Sequence, residues 1–296
     1  MRQKVKHHFT TFTFYGVSLI VYLLFFIVPA VMGFTYSFTS WNGINSKVNF
    51  IGLQNYVEAF SDKRLIASVI NTLKLTFIQS ILFNFVILVL SAVIERSKLR
   101  FIKGALRSLF FLPYLISFVV IAVVWTSLLS YRYGVVSTLM NLAGLGEYAV
   151  DWFGNPRLVI YTIIIINLWA FSGYFLVTYI SAIQTIPAEL YESAQIDGAN
   201  AVQSFKNVTF PMVAPAFTVN FIVSIAWSLS TFEPVMLLTQ GGPGFSSETI
   251  SYYIYWAGFL GARQGYGTTI SLLLFLATML VSIIQVKILS KREVEM

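Results

Sequence analysis

The residues of this chain best placed to do chemistry lie in one hydrophilic interval, residues 184–211, where Glu189, Glu192 and Asp197 stand between Pro187 and Gly198. Pro187 suits a first helical turn, and Glu189 falls where the helix dipole favours an anion. Gly198 can end the helix in a left-handed conformation. Leu190, Tyr191 and Ala194 then share one face, with Glu192 and Gln195 turned elsewhere. A second short helix fits Ala201 to Val208, with Phe205 and Val208 on one side and Pro211 and Pro215 marking the next turn of the chain. Two readings stay open on this pattern alone: an interfacial hairpin joining two membrane helices, or a rigid knob shaped to dock into another protein.

Neither reading is catalytic. The absence of cysteine removes disulfides, thiolate nucleophiles and Cys-ligated metals. No GxxxxGK[ST] phosphate loop and no HExxH pair occurs, and His7 and His8 complete no ligand set, so no metal is expected. The remaining polar groups of interest interrupt apolar stretches: Asn167, Trp169, Ser172 and Tyr174 in one, Ser224, Trp227, Ser228, Thr231 and Glu233 in another. Polar groups are costly against lipid and tend to face a cavity. Hydroxyls and amides beside aromatic faces suit a polyhydroxylated solute. The competing reading is helix packing, with Ser and Thr bonded to their own backbone. Glu233, beside the helix-opening Pro234, is either a group that gates, pairs with a basic group of a partner chain or binds solute, or a carboxylate at a water-reached break.

The elements that must position these groups are membrane helices. The chain has 296 residues, 57% hydrophobic and 10% charged, with a mean hydropathy of +0.77, far too little charge for a soluble domain of this length. Six stretches are long enough to cross a hydrocarbon core: 14–34, 75–94, 108–130, 158–183, 212–238 and 268–289. The expected fold is an all-α integral membrane protein, one transmembrane domain over 1–296, with the hydrophilic interval 184–211 between helices four and five. The first stretch follows a basic segment but is too long for a signal-peptide core, and it is read as a retained helix.

The net charge of +7 does not imply nucleic acid, because no soluble basic face carries interleaved aromatics. Lys and Arg instead flank the spans. Arg2, Lys4 and Lys6, the cluster Arg96, Lys98, Arg100, Lys103 and Arg107, then Lys206, and finally Lys287, Lys291 and Arg292 fall on one side. That side outweighs Lys47, Lys63, Arg64, Lys74, Arg132, Arg157 and Arg263, which are spread over longer loops. Both termini are therefore expected to be cytoplasmic. The loops 39–74 and 239–267 are expected outside, and their length suggests folded structure.

Glu192-Ser193-Ala194, three residues, Gly198, nine residues, then Val208 and Phe210-Pro211 resembles the EAA loop of binding-protein-dependent ABC importer permeases. Ser193, Val208 and Phe210 are mild departures, and the accompanying Asp197-Gly198-Ala199 is present. Gly52-Leu53-Gln54-Asn55-Tyr56 with Asn71-Thr72 resembles the family's first external loop, and Phe110-Phe111-Leu112-Pro113-Tyr114 with Trp125 its third helix. Leu238-Thr239-Gln240-Gly241-Gly242-Pro243-Gly244, with the Tyr252–Phe259 aromatics, is similar to the branch that imports oligosaccharides and polyols.

The resemblance implies a permease half in a bacterial-type cytoplasmic membrane, paired with a second, non-identical permease, two copies of an ATP-binding subunit and an extracytoplasmic solute-binding protein. This chain would bind no cofactor; ATP and Mg would sit on the partner ATPase. The loop would be the coupling helix, with Glu192, Ser193, Ala194 and Ala199 at the ATPase, Gly198 in the tight turn and Asp197 capping or pinning it. Relatives that hold sugar in the membrane path imply contacts at Asn167, Ala170, Phe171, Tyr174, Ser224, Trp227, Ser228 and Thr231. The alternative is an ion-coupled secondary transporter, for which several buried ionisable residues and internal repeats would be expected.

Overall fold

A computed structural model describes residues 15–45, 48–97 and 99–289. The charges at Arg2, Lys4, Lys6, Lys47, Lys98, Lys291 and Arg292, and the pair His7 and His8, lie outside the described residues, as does the first residue of the 14–34 stretch. The described residues are almost wholly helical, with one isolated bridge, Thr39 to Phe50. They divide into two compact units: the described parts of Met1–Asp62 and Ile254–Phe275, and those of Lys63–Tyr253 and Leu276–Met296.

In the first unit, helix α1 (Tyr15–Tyr36) turns apolar side chains outward along its whole length and buries none of them in this chain. A loop then leads to α2 (Gln54–Ser61), where the buried Asn55 amide donates to the carbonyls of Ser37 and Thr39, both at 2.9 Å. Glu58 takes a two-pronged bond from Arg263. Asp62, in extended conformation, ends α2 and accepts the Tyr266 hydroxyl at 2.8 Å.

The second unit starts with α3 (Lys63–Arg96), a helix of 34 residues carrying a π-turn at Leu82–Val86. It begins at Lys63, whereas apolarity alone places the span from Leu75; at 1.5 Å per residue it is about 51 Å long and must project beyond a hydrocarbon core of about 30 Å. The expected external loop 39–74 is therefore largely helix. Leu65, Ser68, Thr72 and Leu75 form the buried stripe that supports the extension.

The 108–130 stretch is not one straight helix. Helix α4 (Arg100–Phe111) passes through a 3₁₀ turn, Leu112–Leu115, and meets α5 (Phe118–Leu128) at a bend of 101°. Pro113 supplies no N–H, and Ile116 and Ser117 are extended. A short α6 (Val135–Leu142) follows.

Helix α7 (Val159–Gln184) is the central element, buried along two thirds of its most apolar window. Gly173 lets it approach α4 closely: a Cβ there would lie 2.8 Å from Phe111 Cα and 3.0 Å from Phe110 O. Small residues drive such contacts in bilayers, where lipid is as apolar as the helices and packing must do the work.

Past the hydrophilic interval, α9 (Ala201–Met212) and α10 (Ala214–Leu229) bend by 74° at Val213, between Pro211 and Pro215. The expected second short helix thus extends past Val208, through a π-turn at Phe205–Thr209. The 212–238 stretch is also broken, because residues 230–232 leave the helix before α11 (Glu233–Leu238). Glu233 and Pro234 open α11 rather than interrupting a longer helix. The remaining elements are α12 (Ile250–Tyr255) with a π-turn at Trp256–Leu260, and α13 (Gln264–Leu289). Among the described residues, four helices alone, or six with each bent pair taken as one span, are long and apolar enough to cross a membrane.

Candidate functional site: a capped hairpin and an aromatic patch

The chain leaves α7 at Gln184, buries Ile186, and turns at Pro187, whose ψ of 135° prevents α7 from continuing. Helix α8 (Ala188–Ile196) starts immediately after. Its end is closed by backbone bonds: Ala199 N–H donates to Ala194 O at 2.9 Å and Gly198 N–H to Gln195 O at 3.1 Å, with Gly198 at φ +76°. This is the paired bonding of a Schellman cap, which requires the left-handed residue that glycine adopts without penalty. A Cβ at Gly198 would meet nothing within 4 Å, so conformation and not space selects glycine. Asp197 occupies the C-cap, but its carboxylate makes no hydrogen bond among the described residues, so the main chain pins the turn.

Asn200 then caps α9 reciprocally. Its side-chain oxygen accepts from Val202 and Gln203 N–H at 3.0 Å each, and Gln203 Oε1 accepts from Asn200 N–H at 2.8 Å. The two caps sit back to back and make residues 187–204 stiff.

Three ties anchor that hairpin to the membrane helices. The Tyr191 hydroxyl lies 3.0 Å from Thr209 Oγ1. Tyr191, Phe205, Val208 and Met212 pack on a core that includes Phe83, Ile94, Tyr179, Ile183 and Val213. Arg96, at the end of α3, donates to Ala201 O at 2.8 Å. Glu95 beside it holds Lys103 and Arg107. Between the end of α3 and the hairpin is a cleft of about 520 Å3, lined by Glu95, Arg96, Tyr191, Gln195 and Asn200 among others.

The free face differs from the sequence expectation at one position. Tyr191 is packed and Ala194 half-buried, but Leu190 is exposed. Glu192, Ser193, Asp197 and Gly198 are exposed and Ala199 half-buried. Ile196 and Val202, 86% and 74% exposed, add apolar area that the motif does not mark. Leu190, Ser193, Ala194, Asp197 and Gly198 line a second concavity of about 460 Å3 between α8 and α9. The hairpin thus has an anchored underside and a bare outer side of mixed polar and apolar character.

The intramembrane candidates separate into two groups. Asn167, Ser224 and Ser228 are buried and tied into hydrogen bonds between helices. Asn167 Nδ2 donates to Gln79 Oε1 at 2.9 Å, and Gln79 Nε2 donates to Ser228 Oγ at 3.0 Å. Asn84 Nδ2 donates to Ser224 Oγ at 2.8 Å, and Tyr179 donates to Asn84 Oδ1 at 2.6 Å. Thr231 bonds back to Trp227 O at 3.3 Å, and Ala170 is buried. Gln79 and Asn84, the amides at the centre of these ties, were not singled out from the sequence; the signal available was their position inside an apolar span.

Phe171, Tyr174 and Trp227 form the second group, a partly exposed aromatic patch. The Tyr174 and Trp227 ring centres are 5.0 Å apart, Phe171 meets Trp227 edge-on at 6.3 Å, and Phe171 stacks on Phe118 at 5.8 Å. Tyr114, 6.2 Å from Tyr174, extends the patch. Glu233 is exposed and lies outside both groups. Among the described residues no group of three or more His, Cys, Asp or Glu is arranged to hold a metal.

Residues 85–294 match the family described as the binding-protein-dependent transport system inner membrane component. The chain is 33% identical over 283 residues to the probable starch degradation products transport system permease protein AmyD of Thermoanaerobacterium thermosulfurigenes, covering 96% of this chain and 94% of that protein. Among solved structures it is similar to a chain of a bacterial ABC transporter involved in import of the acidic polysaccharide alginate, with a TM-score of 0.87, 25% identity and 98% of each chain covered. A second structure, of a bacterial alginate ABC transporter in complex with an alginate pentasaccharide-bound periplasmic protein, matches with a TM-score of 0.84 and 25% identity over 96% of this chain and 95% of that one.

Proposed function

This chain belongs to the family of binding-protein-dependent transport system inner membrane components, and from that premise we propose that it is the membrane permease of an ATP-driven importer for oligosaccharides or related sugars. It is a translocation subunit and not an enzyme. The family match favours this reading over an ion-coupled secondary transporter, and the solved relatives are assemblies of the ABC class.

The hairpin Pro187–Ser204 is the coupling element in this reading, with Glu192, Ser193, Ala194, Asp197, Gly198 and Ala199 presented to an ATPase subunit that holds ATP and Mg. The observation that carries this is the combination of two closed caps with the Tyr191–Thr209 and Arg96–Ala201 ties. A helix so held passes a push to α3, α9 and α10 without deforming, as domain closure needs to be passed on in rigid-body transitions. The complete importer would contain two ATPase copies, a second and non-identical permease, and an external binding protein. The hairpin end of the chain would be cytoplasmic, placing both termini inside.

The solute would pass the aromatic patch of Phe171, Tyr174 and Trp227, whose ring faces suit the apolar faces of pyranose rings. Asn167, Ser224 and Ser228 are buried and tie together the helices that carry that patch, while Thr231 bonds back to its own helix. Glu233 offers a carboxylate at the α10–α11 break, where Glu233→Gln would change transport if it meets solute. The experiment that tests the whole reading is purification in mild detergent followed by reconstitution. An ATPase subunit that co-purifies, and ATP hydrolysis stimulated by a solute-loaded binding protein, are the expected results. A lone chain that moves sugar down an ion gradient would defeat the reading.

A further inference from the structure

Lys74 on α3 and Arg157, just ahead of α7, open into one cleft of about 370 Å3 whose walls include Ile78 and Tyr161. Both cations are exposed, and neither forms a salt bridge or a side-chain hydrogen bond among the described residues. Asp151, the acidic residue nearest in sequence to Arg157, accepts the Gly154 N–H at 2.8 Å and joins no salt bridge among the described residues. Two like charges facing one concave surface without an anion repel each other unless a ligand neutralises them.

Their depth is defined twice over. Lys74 immediately precedes the apolar run 75–94, and Arg157 immediately precedes 158–183. Each therefore stands at the hydrocarbon boundary of its own span. It is the boundary away from the hairpin, because the other end of α3 reaches Ala201 through Arg96. Below the cleft, Phe77 on α3 and Ile165 on α7 are 70% and 53% exposed, so the wall continues as open apolar surface. Tyr174 of the aromatic patch follows Tyr161 by thirteen positions, which at about 100° per residue sets it roughly 140° away around α7. The cleft and the patch thus lie on different sides of that helix.

A pair of unpaired cations at headgroup depth, above an exposed apolar track and turned away from the aromatic patch, fits one ligand chemistry. The geometry points to a site for the phosphate of an anionic phospholipid headgroup, clamped by Lys74 and Arg157, with an acyl chain lying along Phe77 and Ile165. An isolated interfacial cation only snorkels to the headgroups; convergence of two in one cleft makes a site that selects charged lipid over zwitterionic lipid.

The test uses the assembled complex carrying Tyr161→Trp, reconstituted with phosphatidylglycerol and phosphatidylcholine, one of them brominated at a time. Quenching of the introduced indole is read as the difference from the same complex without the substitution. Brominated phosphatidylglycerol should be preferred by at least about fivefold, the effect of one basic residue near an anionic surface, and K74Q/R157Q should bring the preference to parity. If that double variant does not assemble, the charge-conserving K74R must keep the preference that Lys74→Gln alone reduces. Equal quenching by both lipids would overturn the assignment. So would quenching by neither, which would mean that a partner chain covers the cleft, or displacement by added glucuronate or sulfate, which would make it a site for soluble acids.

Discussion

Arg64, in the first turn of α3, closes on Glu248 with its Nη2 at 2.7 Å from Oε2 and its Nε within hydrogen-bonding distance of both carboxylate oxygens. Glu248 is fully buried, and its Oε1 also accepts the Ser68 hydroxyl at 2.8 Å. Phe245 and Tyr253 lie against the guanidinium, with ring centres 4.2 and 5.1 Å from its carbon. Asn71, one turn beyond Ser68, donates to the carbonyls of Phe245 and Glu248. The segment after α11 is thus bolted to α3 by a charged pair and an amide.

Removing one member of a buried pair strands the other charge, at a cost of about 3–5 kcal/mol. Arg64→Met is therefore expected to lower the thermal unfolding temperature of the purified protein strongly. Glu248→Gln, which keeps acceptor capacity, should cost less. The double variant Arg64→Met/Glu248→Leu should recover most of the loss, because no buried charge remains. Unfolding midpoints of the three variants in one detergent check this; additive losses would mean that the pair is not coupled.

The same pair explains a limit of sequence reading. Lys63 and Arg64 read from the sequence as part of the loop 39–74, and the partner that anchors the start of α3 is 184 positions from Arg64. Helices α1, α7 and α13 were legible because their apolar runs are unbroken. The hairpin was legible because Pro187 and Gly198 each impose a local conformation that needs no tertiary partner, although the Asn200 cap that opens α9 was not singled out. The bends at Ile116–Ser117 and Val213 were marked by prolines, but no angle follows from a proline. Ser224 and Ser228 could not be placed, since whether a hydroxyl faces a path or a neighbouring helix depends on where Gln79 and Asn84 point.

Gly198 separates conformation from contact. With φ at +76° and empty space around the missing Cβ, a branched residue pays only for backbone geometry, about 1–2 kcal/mol. Gly198→Val is expected to insert and to assemble its membrane helices, yet to lose most transport through a distorted α8 end. Gly198→Asn, which tolerates the left-handed region, should retain much of it. Uptake of labelled solute by vesicles, normalised to inserted protein, distinguishes the two. Normal uptake by Gly198→Val would remove the coupling assignment.

The aromatic patch and the amide ties behind it should fail in different ways. Trp227→Ala removes a 41%-exposed ring that meets the rings of Phe171, Tyr174 and Phe175, so the protein should remain folded. Its apparent affinity for solute is expected to drop about tenfold if a ring-to-ring contact worth roughly 1.5 kcal/mol is lost. Gln79→Leu instead leaves Asn167 and Ser228 without their shared partner and should destabilise by about 1–2 kcal/mol. Solute-concentration curves and unfolding midpoints for both variants test the division. An unchanged concentration dependence in Trp227→Ala would put the patch outside the path.

Glu192 gives the sharpest test of the docking face. Its side chain is exposed on α8 and makes no ion pair or side-chain hydrogen bond among the described residues. Surface substitutions of that kind usually change stability by less than about 0.5 kcal/mol. Glu192→Lys should therefore leave the unfolding midpoint in place while abolishing co-purification of the ATPase and solute-stimulated ATP hydrolysis. Ile196→Glu, one turn further along α8 and 86% exposed, probes the apolar part of the same face and should weaken the association without unfolding α8. Arg96→Ala is the complementary case: it removes the hairpin's hydrogen bond to α3, leaving only the packed contacts, and should keep the ATPase bound while weakening the coupling of hydrolysis to uptake. Loss of binding in Glu192→Lys with binding retained in Arg96→Ala would place recognition on the outer face of the hairpin and transmission on its anchored underside. The reverse pattern would overturn that division of labour.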